Sequence, residues 1–232
     1  MHRINRKKYY IFDLDGTLTD PVVGITSCVR YALEAYGISE PDQNKLKKFI
    51  GPPLIPAFME YYGVDRITAQ NMQEKYRERF VIKGLYENEL YPGIPALLSA
   101  LKDAGKTVGL ATSKPLVHAK KILQHFDILQ YFDILAGASL DNSLGTKEEV
   151  LARALRQIAQ QEGSQKPPSD KETAAKCIMI GDRKYDILGG HRFGLDTVGV
   201  LYGYGSKEEL TEAGADFLAE SVTALQSVLL SD

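Results

Sequence analysis

Asp13 and Asp15 flank Leu14 where a short apolar run, Tyr9–Phe12, ends. In an extended chain, residues two apart project to one face, so these carboxylates converge. Like charges held that close repel and raise a pKa, unless a divalent cation lies between them and makes the pairing favourable. Gly16 and Thr17 follow, letting the backbone turn tightly and offer amide hydrogens beside the acids. The alternative is an Asp-Gly hairpin turn without chemistry. It requires a second strand at once, whereas Leu18 is followed by Thr19, Asp20 and Pro21. Gly181-Asp182 closes another apolar run, and Asp186 lies four residues on, where a turn or helix start puts both acids on one side. Taken alone that spacing also describes a surface turn. Hard oxygen ligands of this kind suit Mg²⁺, which shares phosphate oxygens with its protein site.

Thr112-Ser113-Lys114-Pro115 presents hydroxyls and free amides where Pro115 marks a first helical turn, an arrangement that serves equally as an anion site and as an N-cap. Thr146-Lys147-Glu148-Glu149 has the form of a capping box and places Lys147 in the first turn of the next helix. A cation there opposes the helix dipole by roughly 0.3–1 kcal/mol, so Lys147 is either solvated surface or faces an anion. Ser206-Lys207-Glu208-Glu209 is a second such box, for which capping is a sufficient explanation. Tyr202-Gly203-Tyr204-Gly205 reads as a loop near a ligand crevice, and the four histidines are scattered without metal spacing.

These residues need elements to hold them. Short β-branched or aromatic runs at Tyr9–Phe12, Thr107–Ala111, Phe132–Ala136, Cys177–Ile180 and Thr197–Tyr202 alternate with helical patterns at Ile94–Ala104, Leu116–Phe126 and Lys147–Gln160. The alternation predicts an α/β fold with a parallel sheet, whose strand carboxyl ends gather the acids. Residues 161–173 read as an exposed polar connection. The stretch from about Thr19 to Tyr91 is far longer than a crossover helix and predicts a helical insert, with helices at Ile25–Tyr36, Asn44–Ile50, Leu54–Tyr62 and Arg66–Lys83. Met72, Tyr76 and Phe80 are expected as its packing core, and Gly24 and Pro92-Gly93 as hinges.

Composition narrows the function. The chain has 232 residues, 44% hydrophobic and 25% charged, as an ordinary globular protein has. Twenty-eight Lys plus Arg against thirty Asp plus Glu leave no basic excess for a nucleic-acid backbone. No apolar run reaches the roughly 18 residues of a membrane span, and the run behind Arg3, Arg6, Lys7 and Lys8 is too short for an export signal. Two widely separated cysteines suggest neither a disulfide scaffold nor zinc, which predicts a cytoplasmic protein.

Asp13-Leu14-Asp15-Gly16-Thr17, Thr112-Ser113-Lys114, Lys147 and Gly181-Asp182-Arg183-Lys184-Tyr185-Asp186 together resemble the four ordered motifs of the haloacid dehalogenase-like hydrolase superfamily. Gly51-Pro52-Pro53-Leu54 within the insert is similar to its phosphoglycolate phosphatase-like members. The resemblance implies a Rossmann-like core, 1–18 and 92–232, with helices on both faces, and an inserted helical cap, 19–91. It implies a phosphatase with Asp13 as nucleophile and Asp15 as general acid and base. Mg²⁺ would be held by Asp13, Asp15 through its main-chain carbonyl, Asp182 and Asp186, the last directly or in support. Gly16, Thr112, Ser113 and Lys147 would bind phosphate, with Lys48 and Gly51 binding the rest of a small phosphate ester. Ser113 stands where many relatives have Asn, and Glu148-Glu149 follows Lys147 where Lys-Pro is common. Asp15 argues against dehalogenation, which lacks a second aspartate. The expected substrate is 2-phosphoglycolate or a nucleoside 5′-monophosphate, and the protein a monomer or homodimer. A sugar-phosphate mutase and a non-catalytic phosphate-binding module are the alternatives.

Overall fold

Six strands run side by side and parallel, in the spatial order Ile134–Ala138, Thr107–Pro115, Tyr9–Phe12, Cys177–Gly181, Asp196–Val200 and Phe217–Ala219. The computed structural model describes residues 4–141, 143–163 and 170–231. The strands are β1 (Tyr9–Phe12), β4 (Thr107–Pro115), β5 (Ile134–Ala138), β6 (Cys177–Gly181), β7 (Asp196–Val200) and β8 (Phe217–Ala219). Between them lie α5 (Ile94–Asp103), α6 (Leu116–His125), α7 (Lys147–Gln161), α8 (Lys171–Ala175), α9 (Lys184–Arg192) and α10 (Lys207–Glu212), and α11 (Val222–Leu230) follows β8. Helices cover both faces, as parallel sheets require. On one face Tyr9 and Ile11 meet Val150, Leu151, Ala154, Leu155 and Ile158 of α7 in one buried cluster. The alternate residues of β1 are equally buried, and the Tyr10 hydroxyl lies 3.0 Å from the Ile4 carbonyl and 3.3 Å from that of Leu229 in α11.

The chain divides into two units, Met1–Leu18 with Leu90–Asp232, and Thr19–Glu89. We call them the core unit and the insert. Within the core unit the Tyr91 amide donates to the Leu18 carbonyl at 3.2 Å, joining the residues on either side of the interruption. The insert begins with β2 (Thr19–Asp20), which pairs with β3 (Glu89–Leu90) where the chain returns. Its helices are α1 (Val22–Glu34), α2 (Gln43–Lys47), α3 (Leu54–Tyr62) and α4 (Arg66–Arg79), followed by one π-helical turn, Phe80–Gly84. Met72, Tyr76 and Phe80 are buried, and Tyr76 stacks on Phe80 at 5.4 Å between ring centroids.

Several boundaries differ from expectation for local reasons. Gly24 is no hinge: it lies inside α1, where a Cβ would sit 2.1 Å from the Gly84 carbonyl oxygen, so it permits close packing. The strand expected from Phe132 starts at Ile134, because Asp133 spends its carboxylate on the Val108 amide at 3.0 Å and on Lys102. Pro115 ends β4 instead of opening α6. Of the connection expected at 161–173, Gln161 still belongs to α7, residues 164–169 lie outside the described residues, and Asp170 caps α8 through the Thr173 amide.

Candidate active site

β1 lies between β4 and β6, and the chain runs outward from β1 through β4 to β5 before returning to β6 on the other side. Crossovers that diverge in this way open a crevice outside the strand carboxyl ends, where open α/β sheets bind ligands. Asp13 follows β1 directly, its amide donating to the Ile180 carbonyl of β6 at 2.9 Å. Asp182 follows β6, and Asp186 lies in the first turn of α9. Oxygens of Asp13, Asp182 and Asp186, all three buried, lie within 4.8 Å of one another. Two glycines make this approach possible. A Cβ on Gly181 would meet Asp186 Cγ at 2.2 Å, and one on Gly16, whose φ is +83°, would meet Asp182 Oδ2 at 2.1 Å.

Lys147 enters from the start of α7. Its Nζ lies 2.9 Å from Asp13 Oδ1 and 2.7 Å from Asp186 Oδ1, and it donates to the Ala111 carbonyl of β4 at 3.0 Å. The capping box at Thr146 and Glu149 is complete and fixes the turn that carries it. Lys147 therefore faces anions and is buried, not solvated. Burial works against its charge, but Asp13 and Asp186 outweigh that and hold the ammonium above its ordinary pKa.

The carboxylates show the opposite strain. Burial, then the neighbouring Asp186 and Asp13, pushes Asp182 well above the ordinary carboxylate range. Burial and repulsion from Asp13 push Asp186 up to about 6 although Lys147 opposes them. Asp15 pairs with Lys114, whose Nζ lies 2.9 Å from Asp15 Oδ2. Burial raises the Asp15 pKa and Lys114 pulls it back. Asp13, Asp182 and Asp186 crowd three buried carboxylates around the Lys147 ammonium, and this all-oxygen donor set fits one hard divalent cation, which would relieve the repulsion among them.

Thr112, on β4, is buried and its hydroxyl accepts from the Lys114 amide at 3.2 Å. Ser113 is half-buried beside it. Lys48 and Gly51 belong to the insert. Lys48 is exposed, with Nζ 6.0 Å from the Tyr61 ring centroid, and Gly51 is exposed at φ +102°. No local pattern singles out Lys114 as the partner of Asp15, nor Thr17, whose hydroxyl donates to Asp182 Oδ1 at 3.3 Å. Both sit inside the quoted motifs, and only the fold pairs them.

A family model described as haloacid dehalogenase-like hydrolase matches residues 10–200. The chain belongs to this family. The hydrolase is 44% identical to a 5′-nucleotidase of Pseudomonas aeruginosa over 221 residues, 95% of each chain. It is 36% identical over 213 residues to the tyrosine-protein kinase PtkA of Mycobacterium tuberculosis, covering 92% of this chain and 68% of that one. A phosphoglycolate phosphatase of Vibrio parahaemolyticus is 28% identical over 231 residues, 96% of each chain. Among solved structures, a predicted phosphatase from Clostridium acetobutylicum matches the hydrolase with a TM-score of 0.86 and 45% identity, covering 97% of this chain and 99% of that one.

Proposed function

We propose that this hydrolase is a Mg²⁺-dependent phosphomonoesterase that works through an aspartyl phosphate on a small phosphorylated metabolite, a nucleoside 5′-monophosphate or 2-phosphoglycolate. The observation that carries the reading is the seat of Asp13, which shares Lys147 with Asp186 while the second acid, Asp15, pairs with a different lysine, Lys114. Two carboxylates in different surroundings suit different roles. Asp13 attacks phosphorus, the bond to the leaving oxygen breaks, and Asp15 protonates that oxygen. Asp15 then takes a proton from water as the water oxygen attacks the aspartyl phosphate, which returns Asp13 and releases inorganic phosphate. Lys147, Thr112 and the amides of Gly16 and Ser113 hold the phosphoryl oxygens in place.

Asp13, Asp182 and the Asp15 carbonyl, with Asp186 as ligand or support, would hold Mg²⁺, and the bound ion would offset repulsion between Asp13 and the phosphoryl group. Residues 1–18 and 92–232 act as the catalytic core and 19–91 as a cap, with Lys48 and Gly51 as specificity residues. The 5′-nucleotidase relative favours nucleotides among the substrates. Cys28 and Cys177, both buried and neither in a disulfide, suit the reducing cytoplasm. A relative named as a tyrosine kinase keeps phosphoryl transfer to an acceptor other than water as the second reading.

The test is phosphate release from nucleoside 5′-monophosphates, 2-phosphoglycolate, hexose phosphates and phosphotyrosine, with Mg²⁺ or EDTA. Mg²⁺-dependent release, lost in Asp13→Asn, is expected. Release that survives Asp13→Asn overturns the mechanism, and a phosphorylated acceptor in place of free phosphate selects the second reading.

A further inference from the structure

The loop after β7 touches the candidate metal site at four successive points. The Tyr202 hydroxyl donates to the Thr17 carbonyl at 3.0 Å, and the Thr17 side chain in turn donates to Asp182 Oδ1 at 3.3 Å. At Gly203 a Cβ would lie 2.3 Å from Asp182 Cβ and 2.4 Å from the Gly16 carbonyl oxygen. The Tyr204 amide donates to Asp182 Oδ2 at 2.8 Å, and a Cβ on Gly205 would lie 2.0 Å from the Asp182 carbonyl oxygen. Asp182 is thus gripped by its side chain and its backbone at once. The grip continues along the chain, since Glu209 Oε1 accepts from Arg183 Nε and from the Lys184 amide, each at 2.9 Å. The box expected at Ser206 is only half made: Ser206 accepts from the Glu209 amide at 3.1 Å, while the Glu209 carboxylate goes to residues 183 and 184.

From these contacts we infer that segment 202–209 is a positioning device for Asp182, setting divalent-cation affinity from outside the ligand shell. Its parts are the Tyr202 hydroxyl, the bare Cα atoms of Gly203 and Gly205, the Tyr204 amide and the Glu209 carboxylate. Each contact opposes a different displacement. Tyr202 fixes the Gly16–Thr17 turn against which Asp182 rests, and a Tyr91 ring packed edge-on at 4.8 Å holds Tyr202 itself. The glycines set how near the loop comes, the Tyr204 amide sets the carboxylate rotation, and Glu209 anchors the start of α9, whose Asp186 accepts from the Arg183 amide at 3.0 Å. Partners that orient metal-ligating carboxylates without touching the ion change affinity by about 10–100-fold when removed. The inference rests on the divalent-cation reading of the site.

The experiment is a titration of EDTA-stripped protein with Mn²⁺, the free ion read by electron paramagnetic resonance, for wild type, Tyr202→Phe, Glu209→Gln and Gly203→Ala. Circular dichroism checks folding, and the Mg²⁺ dependence of phosphate release is measured alongside. In the folded variants the Mn²⁺ Kd is expected to rise, severalfold for Tyr202→Phe and Glu209→Gln and at least about tenfold for Gly203→Ala. Saturating Mg²⁺ should return the kcat of Tyr202→Phe to near wild type, because the loop acts on metal affinity and not on the reacting atoms. Tyr202→Phe and Glu209→Gln create no clash, so they decide the matter even if Gly203→Ala fails to fold. Wild-type Mn²⁺ affinity in both overturns the inference and leaves the metal reading standing, whereas a wild-type protein that binds no Mn²⁺ overturns the metal reading and the inference with it.

Discussion

Lys147→Met separates the electrostatic part of the site from its packing. Methionine keeps most of the apolar stem but removes the ammonium that lies 2.9 Å from Asp13 Oδ1 and 2.7 Å from Asp186 Oδ1. Removing one partner of a buried ion pair destabilises by about 3–5 kcal/mol, because the remaining charge is left uncompensated. For a protein of this size each kcal/mol moves the unfolding midpoint by about 2–4 °C, so a fall of about 6–20 °C is expected in EDTA. Saturating Mg²⁺ should raise the midpoint of the variant by more than it raises that of wild type, since the cation becomes the main charge facing three carboxylates. At saturating Mg²⁺ kcat should still fall by about 10²–10³-fold, the usual cost of losing one donor to a charged transition state. The assay is differential scanning fluorimetry with and without EDTA, followed by turnover at saturating metal. A midpoint within about 2 °C of wild type in EDTA, less than 1 kcal/mol would produce, refutes the claim that Lys147 compensates the carboxylates.

Other substitutions probe other links. Lys114→Met should lower kcat by about 10²-fold, because Asp15 loses the contact that orients it, and steady-state kinetics on the best ester checks this. Glu162, which accepts from Tyr9 and Lys8 and also meets Lys176, is held down to about 2. A depressed folded pKa means that its stabilisation is complete above the unfolded value, about 4.3, and is lost as pH falls through the folded one. The stability difference between wild type and Glu162→Gln in urea should therefore be full at pH 6 and shrink between about pH 4 and pH 2. Gly24→Ala should cost about 1–3 kcal/mol in urea unfolding, since its Cβ would meet the Gly84 carbonyl backbone instead of a movable side chain.

What could be read in the sequence was whatever neighbours supply to one another. Asp13 with Asp15, Asp182 with Asp186, and the cap that precedes Lys147 are local patterns, and the alternation of apolar runs with helical periods carries the parallel sheet. β8, α8 and α11 were missed, the first two because elements of three to five residues complete too little of a period to register. The partners of Lys114 and Glu209 were hidden for a different reason. Asp15 lies ninety-nine positions from Lys114, and Glu209 bonds residues on another element, so only strand order brings the groups together. Glu209 misled most, because a capping-box spacing gave it an adequate local explanation that its side chain does not take.

The hydrogen bond from Tyr91 to Leu18 gives the architecture an interchangeable part. Seen from the core unit, Thr19–Glu89 is a loop whose two ends are already tied together, so its length hardly enters the energetics of the sheet. Loop-closure entropy grows only logarithmically, by about 0.6 kcal/mol per doubling, and a tenfold longer excursion costs only about 2 kcal/mol more. An insert that buries its own core, as Met72, Tyr76 and Phe80 do here, can therefore change in size or helix number without disturbing the register of β1 between β4 and β6. The acids stay fixed while the inserted module is free to be traded, because the segment whose length can vary is not the one that sets the spacing of Asp13, Asp182 and Asp186.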